Sequence, residues 1–165
     1  MKYACKPALI LFFFLISSSA FSQDYIEHVN EIYFGNENLA KTKTLNGGNY
    51  VMAGYNLQLL DQLALGAKLS ADIVPRTFDD VLASAQLRIN SKISKNRIQK
   101  SLGIFYMRNF SSQPVRKDFL GARIALINYI TDSKKGVEFL PITIFYDIGS
   151  GFSLGYEFIT FSILF

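Results

Sequence analysis

Residues 63–74 read LALGAKLSADIV and alternate without a break. Leu63, Leu65, Ala67, Leu69, Ala71 and Ile73 share one face; Ala64, Gly66, Lys68, Ser70 and Asp72 share the other. A two-residue period is the repeat of a β-strand, whose successive side chains point to opposite faces. The stretch from Val81 repeats the pattern. Val81, Ala83, Ala85, Leu87, Ile89 and Ile93 stand against Leu82, Ser84, Gln86, Arg88, Asn90 and Lys92. From Asn49, the residues Val51, Ala53, Tyr55, Leu57 and Leu59 oppose Tyr50, Met52, Gly54, Asn56 and Gln58. Each run is about twice the roughly 5–6 residues of an ordinary globular strand, and matches the 9–11 of a tilted membrane-spanning strand.

Four further runs follow. Residues 98–110 set Leu102, Ile104 and Tyr106 against Ser101 and Gly103, with Phe105 and Met107 also on the second face. Residues 118–130 set Leu120, Ala122, Ile124 and Leu126 against Gly121 and Arg123. Residues 137–147 set Leu140, Ile142, Ile144 and Tyr146 against Thr143 and Asp147; Pro141 lacks a ladder donor and predicts a bulge. The last run is 152–165. The intervening segments 60–62, 94–97 and 131–136 are short and polar, as are 75–80, 111–117 and 149–151. Connections this short join antiparallel neighbours, because parallel pairs need a long crossover. These seven runs form an up-and-down meander. An eighth strand is expected within 25–45, before the turn signal Asn46-Gly47-Gly48, with a short helix at 24–32 as the alternative.

The amino end has a different character. Lys2 and Lys6 precede an apolar run from Ala8 to Ile16, followed by small residues up to Ser22. The run is shorter than the roughly 20 apolar residues of a membrane helix, and the order of charge, apolar core and small residues is that of a secretory signal peptide. Cleavage is expected after Ser22, or alternatively after Ala20, leaving a single domain at 23–165. The only cysteine, Cys5, is removed with the leader, so disulfides play no part in the mature chain. Without Lys2 and Lys6 the formal charge of +4 falls to +2, too little for a nucleic-acid binder with a concentrated basic face. Half of the chain is hydrophobic, yet no later segment is an unbroken apolar run of helix length.

Period alone leaves two assignments of the faces. A soluble barrel turns the apolar face inward; a membrane barrel turns it outward. The second is favoured by the small and charged character of the other face, which carries Lys68, Asp72, Arg88, Lys92, Arg123 and Glu157. An eight-stranded barrel encloses just enough room for side chains. Aromatics near run ends, Phe78, Phe110, Phe119, Tyr129, Tyr146 and Phe152, suit the girdles of outer-membrane barrels. Together with the run YNLQLLDQLALGAKLSADI and the terminal phenylalanine, these features resemble the small outer-membrane β-barrels of Gram-negative bacteria, the OmpA/OmpX-like barrel domains. The resemblance implies an all-β, eight-stranded antiparallel up-and-down transmembrane β-barrel in the outer membrane. It further implies contact with outer-membrane lipid and lipopolysaccharide, and a final strand read by the insertion machinery through Ile159, Phe161, Ile163 and Phe165. Both termini and the turns at 60–62, 94–97 and 131–136 would then be periplasmic. The parity of that signal puts Glu157 on the lipid face, so either a bulge near Phe158 switches the faces or part of the lumen is apolar.

The expected function is a non-enzymatic outer-membrane barrel, acting as a monomer, with a structural, adhesive or small-solute role. Its lumen would be closed by a salt-bridge network of Lys68, Asp72, Arg88, Lys92, Arg123 and Glu157, with Glu27 or Glu31 as further acids. Two alternatives stand beside it: a lipid-modifying barrel enzyme and a soluble periplasmic lipid-binding barrel. The only histidine, His28, has no serine beside it, and Ser111 and Ser112 fall in a distant loop; a serine nucleophile needs a base within reach. No catalytic residue, metal site or cofactor is expected. The lysine- and arginine-rich segments Lys92-Lys95-Arg97-Lys100 and Lys134-Lys135 would line the periplasmic rim.

Overall fold

The structure, a computed structural model, describes residues 30–42, 45–60, 62–73, 80–110, 117–147 and 151–165. The expected leader, His28, Phe78, Ser111 and Ser112 lie outside the described residues. The segments in order are β1 (Asn30–Leu39), β2 (Gly48–Leu60), β3 (Leu63–Asp72), β4 (Val81–Asn90), β5 (Ile98–Asn109), β6 (Lys117–Ile130), β7 (Lys135–Phe139), β8 (Ile142–Asp147) and β9 (Gly151–Leu164). All pairings are antiparallel, and consecutive segments from β1 to β6 are neighbours. β7 and β8 both lie between β6 and β9 and are two halves of one strand, interrupted at Leu140 and Pro141. β9 pairs back to β1, which closes the sheet into a barrel of eight strands. Closure leaves no unpaired edge.

The apolar faces point outward. Leu65 is 48% exposed and Leu69 62%, whereas the side chains of Lys68 and Arg88 retain 11% and 5%. The outward set runs around the whole wall, from Phe34 and Leu57 through Leu87, Ile104 and Leu120 to Ile144, Phe161 and Ile163. Tyr106, Tyr146 and Tyr156 stand on the outer face toward the loop end, and Tyr129 toward the turn end. Phe119 departs from the aromatic pattern: it lies in the lumen, 1% exposed, edge-on to Phe145.

Three bulges keep this inversion in phase. On β9, Phe158 and Ile159 together face a single residue of β1, Asn36, so Glu157 and Thr160 both turn inward. On β6, Leu126 and Ile127 both point out opposite Lys100. Between them, Phe139 and Leu140 both point out before Pro141 turns in. Ile127, Phe139 and Ile159 are register partners, so the three irregularities sit at one level across adjacent strands. A bulge inserts an extra residue and so reverses which parity faces inward. The conflict between Glu157 and the terminal hydrophobics is resolved by this switch at Phe158, and the bulge expected at Pro141 is present.

Candidate functional site

The candidate site is the lumen, which is stacked in three layers. At the loop end Leu39, Leu45, Tyr50, Leu82, Met107, Phe119 and Phe145 form an apolar plug, with Phe105 packed against it. Leu45 precedes β2 and is buried in the lumen, and its amide donates to the Thr42 hydroxyl (3.0 Å). At Gly47 the φ is +71°, and a Cβ there would lie 2.5 Å from the Lys41 backbone nitrogen. Beneath it Asp80 accepts from the Asn109 amide (2.7 Å), the Asn46 backbone N–H (3.1 Å) and the Tyr50 hydroxyl (3.2 Å). At the turn end a smaller apolar cluster joins Ile93, Ile130 and Leu164.

The middle layer carries the charge. Arg123 donates through Nε to Glu157 Oε1 at 2.7 Å and through its second terminal nitrogen to Glu157 Oε2 at 2.5 Å, and it also binds Glu138. Arg88 contacts Glu31 at 3.1 Å and Glu138 at 3.3 Å, the latter without hydrogen-bond alignment. Lys68 binds Glu37 at 2.5 Å and approaches Glu157 at 3.9 Å. The layer therefore joins the cations Lys68, Arg88 and Arg123 to the acids Glu31, Glu37, Glu138 and Glu157. Neutral polar groups knit it further. Thr160 donates to Glu157 at 2.7 Å, Asn56 to Glu31 at 2.7 Å, and Gln86 to Asn56 at 2.8 Å and to the Tyr33 hydroxyl at 3.1 Å. Gly54 and Gly66 make the room: a Cβ at Gly54 would strike the Tyr33 ring, and one at Gly66 the Asn56 and Gln86 side chains.

The charges of this array are matched with one another across the lumen. Charges out of water must be paired, and each charged group here meets opposite charge inside the wall. Among the described residues no group of histidine, cysteine, aspartate and glutamate is placed to hold a metal. Spare hydrogen-bonding capacity remains on Glu37 Oε1, Ser70, Asn128, Thr143 and Ser162.

Of the six charged residues expected to line the lumen, Lys68, Arg88, Arg123 and Glu157 meet in one network. Asp72 is also buried, but in the loop-end half, where it pairs in register with Tyr50. Lys92 is a correction: it is exposed beyond the end of β4, and Ile93 is buried in its place. The reason is that regular alternation stops at Asn90, where the strand ends. Glu31, one of the two further acids expected, is a full member, Glu27 lies outside the described residues, and Glu37 and Glu138 are members that parity missed. At the carboxyl end Phe161, Ile163 and Phe165 are exposed on the outer wall, and Ile159 sits in the bulge, half-buried. No protein-family model matches the chain, and no curated protein or solved structure matches it either.

Proposed function

We propose that the chain is an integral, non-enzymatic outer-membrane barrel of the OmpA/OmpX-like kind, made with a cleavable leader and sealed by its own side chains. The observation that carries the reading is the reversal of the faces: large apolar residues exposed around the whole wall, and an ion network inside it. Water penalises that arrangement on both faces, and hydrocarbon relieves the outer one. A soluble lipid-binding barrel requires an apolar cavity, whereas this middle layer is occupied by arginine, lysine and glutamate. Two apolar plugs with a charged layer between them favour a structural or surface-contact role over solute passage. Lipopolysaccharide and membrane lipid are the expected surroundings, and the insertion machinery is the expected reader of β9.

The test is heat-modifiable migration. Detergent-extracted protein is compared unheated and boiled on a gel, and membranes are washed with carbonate and urea. A shift in mobility together with retention in the washed membrane is the expected result. Release into the wash, or identical migration of both samples, would remove the membrane reading. In planar bilayers the intact protein is expected to give no steady conductance.

A further inference from the structure

The turn end carries a feature that sealing the lumen does not use. The β4–β5 and β6–β7 turns have the same construction. In the first, Arg97 N–H donates to Ser94 O (2.8 Å) and Ser94 N–H to Ile98 O (2.9 Å). In the second, Lys134 N–H donates to Thr131 O (3.1 Å) and Thr131 N–H to Lys135 O (2.8 Å). In each, the hydroxyl of the first residue accepts the N–H four positions on. Each turn also places a cation, Arg97 at φ +60° or Lys134 at φ +56°, in the left-handed conformation that glycine takes most readily. Such a backbone costs an L-residue free energy, and both turns bear that cost at a basic residue in the matched position.

The turns are also held together. Arg97 O accepts from Ile130 N–H at 2.9 Å, and the Arg97 guanidinium binds Asp132 in the neighbouring turn. The brace uses Arg97 and leaves Lys92, Lys95, Lys134 and Lys135 exposed, none of them in an ion pair among the described residues. Lys135 is register partner to Ile163, on the outer face, one inward residue away from Val137. Tyr129 ends the apolar wall beside it, paired in register with Val137.

We propose that these two braced turns form one cationic platform that binds the phosphate of anionic phospholipid headgroups in the leaflet facing the turn end. The proposal rests on the membrane reading above. Its occupant is lipid rather than a soluble acid because the cationic side chains start where the apolar wall stops. A lysine at such a rim lays its stem along the hydrocarbon and its ammonium among the headgroups. Basic residues near an anionic surface contribute about 1 kcal/mol each, about fivefold per contact.

The full-length protein in detergent is given equimolar phosphatidylglycerol and phosphatidylcholine, and retained lipid is counted by native mass spectrometry. Phosphatidylglycerol is expected to exceed phosphatidylcholine about fivefold or more. The variant K92Q/K95Q/K134Q/K135Q is expected to bring that ratio close to one, and the matching lysine-to-arginine variant to restore it. A wild-type ratio near one, or a glutamine variant that keeps the preference, overturns the proposal. Stronger retention of an acidic peptide than of phosphatidylglycerol also overturns it and assigns the turns to a protein partner. Heat-modifiable migration separates the two readings. A protein that shifts on heating but has no headgroup preference loses the platform alone, and one that shows neither loses both.

Discussion

Removing Arg123 tests the lumen network most directly. Among the described residues its guanidinium is the only cation bound to Glu157 at hydrogen-bonding distance, and it also serves Glu138. In Arg123→Met the apolar stem is retained, and two buried carboxylates lose their principal partner. Breaking a buried pair from one side costs about 3–5 kcal/mol, chiefly because a charge is left uncompensated. Partial relief remains, since Lys68 lies 3.9 Å from Glu157 and Arg88 3.3 Å from Glu138. The expected loss therefore lies at the lower end, about 3 kcal/mol. With a urea slope of about 2 kcal/mol per M, the unfolding midpoint falls by about 1.5 M. The assay is reversible urea unfolding of the lipid- or detergent-held barrel, followed by the fraction that migrates as the compact form. The triple variant R123M/E138Q/E157Q removes the charges along with the cation and is expected to recover at least half of the loss. Equal midpoints for wild type and R123M, or a triple variant weaker than the single one, would refute the view that uncompensated charge dominates this layer.

Four other perturbations have defined outcomes. Asp80→Ala removes the acceptor shared by Asn109, Asn46 and Tyr50 and is expected to lower stability by about 3 kcal/mol, read from thermal unfolding; a change below about 0.5 kcal/mol would show that the loop-end bonds are dispensable. Phe119→Ala opens the apolar plug and is expected to cost about 3–5 kcal/mol in the same measurement, with Phe119→Leu recovering most of it. Gly47→Ala forces a Cβ onto the Lys41 backbone at positive φ and is expected to cost about 1–3 kcal/mol; unchanged stability would mean that the close approach of Gly47 to Lys41 is not required. Deleting Phe158 leaves Ile159 alone opposite Asn36, between the inward Glu157 and Thr160, so plain alternation keeps both halves of β9 in phase and the compact form is expected to survive on gels; its loss would show that the bulge is needed for more than phase.

The regular parts of the barrel were legible because alternation runs through most of β2, β3 and β4, and the outward positions there follow from Val51, Leu65 or Leu87 by counting in twos. Counting fails wherever a strand slips. Glu138 shares parity with Leu140 and Ile142 and reads as outward, but Phe139 and Leu140 both face out and turn it in. Glu157 is displaced in the same way by Phe158 and Ile159, although here the sequence held the clue, an acid in phase with the terminal hydrophobics. Lys92 failed for the opposite reason, because alternation was extended past the end of β4. Glu37 was hidden by its position: the first strand was located only within 25–45, so its faces had no phase. Phe119 was misread because an aromatic near a strand end fits an outer girdle as well as an inner plug, and only packing against Phe145 decides between them.

The seam between β1 and β9 has a kinetic consequence. Every other ladder joins strands linked by a short connection and can zip up locally, while this one must bring together opposite ends of the described chain. Charge matching is arranged so that neither half waits for the other. Glu31, Glu37, Lys68 and Arg88 lie on β1, β3 and β4, while Arg123, Glu138 and Glu157 lie on β6, β7 and β9. Each half-sheet can neutralise most of its own ions while still curling, leaving only the longer Lys68–Glu157 and Arg88–Glu138 approaches to form when the wall meets itself. The late step of assembly then buries one unmatched carboxylate of the β6–β9 half rather than a full set of bare ions, and backbone pairing along the joint is left to set its rate.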